Sequence, residues 1–170
     1  MIRRGTKPGR RRGQALLEFT LIGIPFLFMT LSIISVSLNM FQFDSLPYAV
    51  DLTARYVSTH GEGCSQNGNT CLLAVSDVVS YFSAQGMGLE MGKVALTLTD
   101  SSGTITCSPL TSCSSSSATF PATTSNSVGS DFTINARYLL SNPMPMMWGN
   151  KSVAAGRFNV GATARQRIIF

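Results

Sequence analysis

From Phe19 to Phe43 the chain carries no charged side chain: "FTLIGIPFLFMTLSIISVSLNMFQF". As a helix this run reaches about 38 Å, against a hydrocarbon core of about 30 Å. So long an uncharged stretch is rare in small soluble domains. It predicts one tilted helix spanning a membrane. A cleavable secretory signal would have an apolar stretch of only about 7–15 residues, closed by a small-x-small site. "NMFQFDSLP" offers no such site, and no cysteine lies near the end of the run for lipid attachment. The expectation is an anchor that stays.

Charge sets the direction of crossing. The formal charge of the 170-residue chain is +5, but Arg3, Arg4, Lys7, Arg10, Arg11 and Arg12 crowd into residues 1–13 without an acid. The remainder has seven basic and eight acidic side chains. A basic tail before an apolar run is a topology signal that keeps the tail cytoplasmic and sends everything after about residue 44 outside. An exported part this close to neutral lacks the positive excess that phosphate capture requires, although Arg137, Arg157, Arg165 and Arg167 could share a sheet face. A nucleic-acid partner is not expected.

Glu18 is the exception in the greasy segment. A buried ionised group costs several kcal/mol unless paired, and intramembrane carboxylates mark function. In "RRRGQALLEF", cleavage between Gly13 and Gln14 would remove the basic leader and place Glu18 fifth in the mature chain. The new α-amino group would then lie one helical turn from Glu18, in its own helix or in a staggered neighbour's. Such a pair would fix axial register, as lone buried polar groups do in coiled coils. In the competing account Glu18 sits half solvated at headgroup level, where a carboxylate suits the helix dipole. Pro25 falls inside the helix and predicts a kink or a loosened turn.

These residues resemble the TadE/TadG-like minor pilins of tight-adherence secretion systems, within the type IV pilin class. The opening Gly-x-(Ala/Ser)-x-(Val/Leu)-Glu-Phe matches Gly13 to Phe19, Pro25 supplies the proline inside the helix, and "AVDLTARYVSTHG" matches the amphipathic extension. The likeness covers about residues 10 to 60, and weakly "FNVGATARQRIIF" at the end. It implies a prepilin peptidase substrate cut at Gly13–Gln14, with Glu18 aligning subunits and Pro25 curving the helix. It further implies other pilin subunits as partners and a place in the inner membrane or in a surface pilus. A head larger than a major subunit of that type carries would suit priming, capping or regulating the fibre. An anchored binding protein that never polymerises is the alternative from another class.

Beyond the membrane, "DSLPYAVDLTARYVSTHG" predicts an amphipathic helix over residues 44–61. Asp44 or Ser45 would cap it and Pro47 fit its first turn, with Leu46, Val50, Ala54 and Val57 as its apolar stripe. "LLAVSDVVSYFSAQ", residues 72–85, predicts a second helix with Leu72, Val75, Val79 and Phe82 on one side, ended by "GMG". The period then changes to two. Val94, Leu96 and Leu98; Phe132, Ile134, Ala136 and Tyr138; and Phe158, Val160, Ala162 and Ala164 each alternate with polar or small residues, the pattern of half-buried antiparallel strands. "GTITCS" adds a short strand through a turn at "DSSG". The expected fold class is α+β: a long N-terminal helix, membrane-spanning over 14–43, followed by an extracytoplasmic head over 62–170 with a second helix and an antiparallel sheet.

Four cysteines lie in the exported part: Cys64, Cys71, Cys107 and Cys113. An even count in an oxidising compartment predicts disulfides. Three connectivities are possible, and the short spacings favour Cys64–Cys71 and Cys107–Cys113. His60 with Cys64 and Cys71 fits no tight zinc spacing, so no metal and no cofactor is expected. Eleven of the seventeen residues from 111 to 127 are Ser or Thr, which predicts an exposed mobile loop pinned at Cys113. "SNPMPMMWGN" is predicted as a second loop, its Met and Trp forming either a contact patch or a cover for the sheet edge. His60 is expected near a helix end and exposed. Asp44, Asp51, Glu62, Asp77, Glu90, Asp100 and Asp131 form no catalytic motif, and no small-molecule substrate or enzymatic activity is expected.

Overall fold

Alternating side chains build the sheet. β1 (Val94–Thr99) buries Val94, Leu96 and Leu98 and turns their neighbours outward. A computed structural model describes residues 11–64, 71–141, 146–148, 151–153 and 157–169. β2 (Thr104–Cys107) returns antiparallel to β1 through the Asp100–Gly103 turn, with Thr99 opposite Thr104. β3 (Asp131–Ser141) pairs with the other side of β1, Leu96 opposite Ala136. A separate hairpin joins β4 (Met146–Trp148) to β5 (Lys151–Val153), and β6 (Arg157–Arg167) pairs antiparallel along the whole of β3. The main sheet therefore runs β2-β1-β3-β6. The β4–β5 hairpin corrects the expectation of a simple loop at "SNPMPMMWGN", since Ser141 ends β3 and Met146–Trp148 form β4. The environment of the Trp148 side chain lies outside the described residues.

Two helices cover one face of this sheet. α1 (Arg11–Ser58) is assigned without a break through Pro25 and Pro47. The separate start expected at Asp44–Pro47 does not occur: the Ser45 hydroxyl donates to the Phe41 carbonyl one turn back instead of capping a new helix. The stripe Leu46, Val50, Ala54 and Val57 is fully buried, joined by Ala49. α2 (Val75–Gln85) buries Val75, Val78, Val79 and Phe82. Leu72, expected on that side, precedes the helix and is exposed, while Leu73 takes the inward place. The start of α2 is fixed by Asp77, whose carboxylate accepts the Ala74 N–H at 3.2 Å, half of a capping box. Tyr56 of α1 stacks on Tyr81 of α2 at 4.2 Å, and the His60 ring lies 4.3 Å from Tyr56. Burial, then Asp77 and Tyr81, push the Tyr56 hydroxyl above its ordinary pKa.

The Ser/Thr-rich segment 111–127 is not the wholly exposed loop its composition predicts. It begins in a 3-10 turn (Leu110–Cys113), and its Phe120, Ser125 and Asn126 are buried. Phe120 stands edge-on to Phe132 in the core, and the Phe120 N–H donates to the Leu73 carbonyl. Phe120 is one of several ties, beside the Cys107–Cys113 disulfide and the bond from the Ala122 N–H to Asp100. The fold is thus α+β, with a long apolar N-terminal helix, a second helix and a four-stranded antiparallel sheet.

The chain divides into two units, Met1–Leu38 and Asn39–Phe170. In the first, the described residues form the apolar helix alone. The second holds the stem from Asn39, α2 and the sheets.

Candidate functional site

In the first unit, α1 contains a helix long and apolar enough to cross a membrane, and its large side chains are exposed along the run, among them Phe19, Ile22, Phe26 and Phe28. Four hydroxyl side chains within it are turned back onto the helix backbone. Thr20, Thr30, Ser32 and Ser37 each donate their hydroxyl to a carbonyl three or four residues back, so these four are satisfied by the helix itself.

Glu18 has no such internal outlet. It is exposed, and among the described residues no cation pairs with it. With Ala15, Phe19, Ile22, Gly23 and Phe26 it borders a shallow groove of about 380 Å³ along one side of the helix. The spacing explains the groove: residues three and four apart share a face, and Gly23 leaves a notch between bulky neighbours. An ideal Cβ at Gly23 would meet only the Phe19 ring, at 3.8 Å, so the notch is open toward a partner. Gly13 lies within the first turns of α1, where glycine is worth about 1 kcal/mol less than alanine, so that turn unwinds readily. Residues 1–10 of the basic leader lie outside the described residues.

Five of the seven acids that form no catalytic motif have a structural role in the second unit, Asp77 at the start of α2 among them. Asp51 pairs with Arg55 one turn on, and Glu90 with Lys93. Asp100 organises the β1–β2 turn: its carboxylate accepts the N–H groups of Ser102 at 2.8 Å, Gly103 at 2.9 Å and Ala122 at 2.8 Å. Burial pushes this carboxyl up, but the three N–H donors outweigh it and hold the pKa below the usual range. Asp131 takes hydrogen bonds from Arg167 at 2.8 Å and Arg165 at 3.0 Å, which lower its pKa and raise that of Arg167. These two arginines, weighed above as part of a phosphate-binding face, are therefore spoken for. Arg137 stands apart from them, on the rim of a groove of about 660 Å³ with Lys93, Asn159 and Gly161.

The disulfides join Cys64 to Cys71 and Cys107 to Cys113, with Cα separations of 5.5 and 5.6 Å. The first removes two of the three ligands weighed for zinc. His60 is half-buried rather than exposed, with Nδ1 2.7 Å from the Tyr56 carbonyl oxygen. Sequence reading missed the groove beside Glu18, although Ala15, Ile22, Gly23 and Phe26 carry its helical spacing. Comparison with protein-family models, curated proteins and solved structures finds no match to this chain.

Proposed function

We propose that the chain is a minor pilin-like subunit: a single-pass protein whose apolar helix enters a helical assembly in or above the membrane and carries the head on its outer end. One observation carries the reading. A lone carboxylate, Glu18, sits near the start of an apolar helix, exposed beside a notch at Gly23 and paired with no cation among the described residues. The cationic partner it needs in an apolar setting is an α-amino group freed at Gln14, of the same or a neighbouring subunit. The partners are other pilin subunits and a prepilin peptidase, and the role is positional rather than enzymatic. N-terminal mass determination on protein from its native envelope tests this. A terminus at Gln14 is the expected result, and functional protein retaining Met1 refutes it.

A second reading, an anchored binding protein that stays monomeric, draws on the groove near Arg137 and Lys93 on the sheet. It predicts an intact leader and no self-association of the helix.

A further inference from the structure

The Gly86–Leu89 loop, treated above only as the end of α2, has a second property. Met87 at its tip is 69% exposed, although nothing in Gly86, Met87, Gly88 or Leu89 is polar in its side chain. The loop is held against the stem at one level. The Gln42 amide donates to the Gly88 carbonyl at 3.0 Å. Gly88 has φ +80°, a region that favours glycine, and a Cβ there would lie 2.7 Å from the Phe41 ring. Only glycine permits both the turn and the approach. Phe41 and Gln42 are close to the last residues of the uncharged run that ends at Phe43, and Met40, Phe41 and Phe43 are themselves 60%, 50% and 54% exposed. The first acids and bases on either strand of chain, Asp44 and Glu90, follow at once.

Apolar tip and apolar stem residues thus share one end of this unit. We propose that this end is a lipid-contact surface: Met87 enters the headgroup–acyl boundary of the membrane that the helix crosses, with Phe41 and Phe43, so that the head rests on the bilayer instead of standing clear of it. The inference rests on the membrane-spanning reading of the preceding section. The occupant is lipid because the patch is continuous with the uncharged run, and because methionine and phenylalanine there would otherwise be left in water.

The test uses the full-length chain, disulfides intact, in phosphatidylcholine–phosphatidylglycerol vesicles. Its four native cysteines are paired, so one introduced thiol is labelled selectively. An environment-sensitive fluorophore is placed at Met87→Cys, at Phe28→Cys within the apolar run, and at Ser101→Cys in the turn at the opposite end of β1. Blue-shifted emission and quenching by brominated lipid at positions 87 and 28, with neither at 101, are expected. Gly88→Ala in the Met87→Cys background should reduce the quenching at 87 and leave that at 28 unchanged. An aqueous signal at 87 with quenching retained at 28 overturns the lipid contact and leaves the anchor standing. Aqueous signals at both positions overturn the contact together with the membrane reading beneath it.

Discussion

Glu18 and Asp100 show what one carboxylate does in two settings. Asp100 is surrounded by donors of its own chain, so its role is finished within the β1–β2 turn. Its pKa lies below the ordinary 3.8, which means the folded state favours the ionised form. The stability this contributes is present above the ordinary value and is lost as pH falls through the lowered one. Asp100→Asn should therefore be less stable than the parent at neutral pH and should lose less on acidification below about pH 4, read by denaturant unfolding at stepped pH. Glu18 has no donor among the described residues, and under the proposed register role its effect should appear where chains meet. Glu18→Ala should insert and fold as the parent does yet fail to enter the assembly, and its normal incorporation would count against the register role. The lone acid in a greasy run was legible in the sequence. The donors around Asp100 were not, because Ala122 comes from a segment that composition alone assigns to the solvent. The same holds for Asp131, whose partners Arg165 and Arg167 are set by the β3–β6 register.

Among the elements, those with a sustained period were read correctly in kind and less well at their ends. Period-two alternation located β1, β3 and β6, because one face of each packs on the helices while the other is wet. α2 illustrates the boundary problem. Leu72 fits the helical spacing, but the chain is not yet helical there: Ala74 forms a bridge with Thr119, and Asp77 caps the turn that begins at Val75. Leu73 takes the inward place before the helix, and Val78 joins Val75, Val79 and Phe82 within it. Phe82→Ala should cost about 3–5 kcal/mol, as truncation of a fully buried aromatic does. Leu72→Ala, at an exposed position, should stay within about 0.5 kcal/mol. Equal losses in thermal or denaturant unfolding would show that α2 begins earlier and turns a different side to the sheet. In α1 the Asp44–Pro47 signals resemble a start, but a helix already formed upstream needs no cap, and Pro47 costs it one backbone hydrogen bond rather than its continuity.

At the scale of the whole molecule, the long helix belongs to two environments. Its outer residues Leu46, Ala49, Val50, Ala54 and Val57 are part of the same buried cluster as α2 and the sheet. The Ser58 carbonyl also accepts the Ile169 N–H near the other end of the chain. The helix expected over 44–61 thus packs in one unit with residues 62–170, a unit that begins at Asn39. Removing Leu46, Val50 and Val57 alone forfeits about 1.5–3 kcal/mol each, a loss comparable with the whole stability of about 5–15 kcal/mol expected for such a domain. A fragment of residues 39–170 should unfold cooperatively and give dispersed amide resonances. A fragment of residues 62–170 should do neither, even with both disulfides formed. If the shorter fragment folds, the stem is a tether that rests on the head. If only the longer one folds, the stem from Asn39 to Ser58 is the structural centre of the unit that holds the sheet.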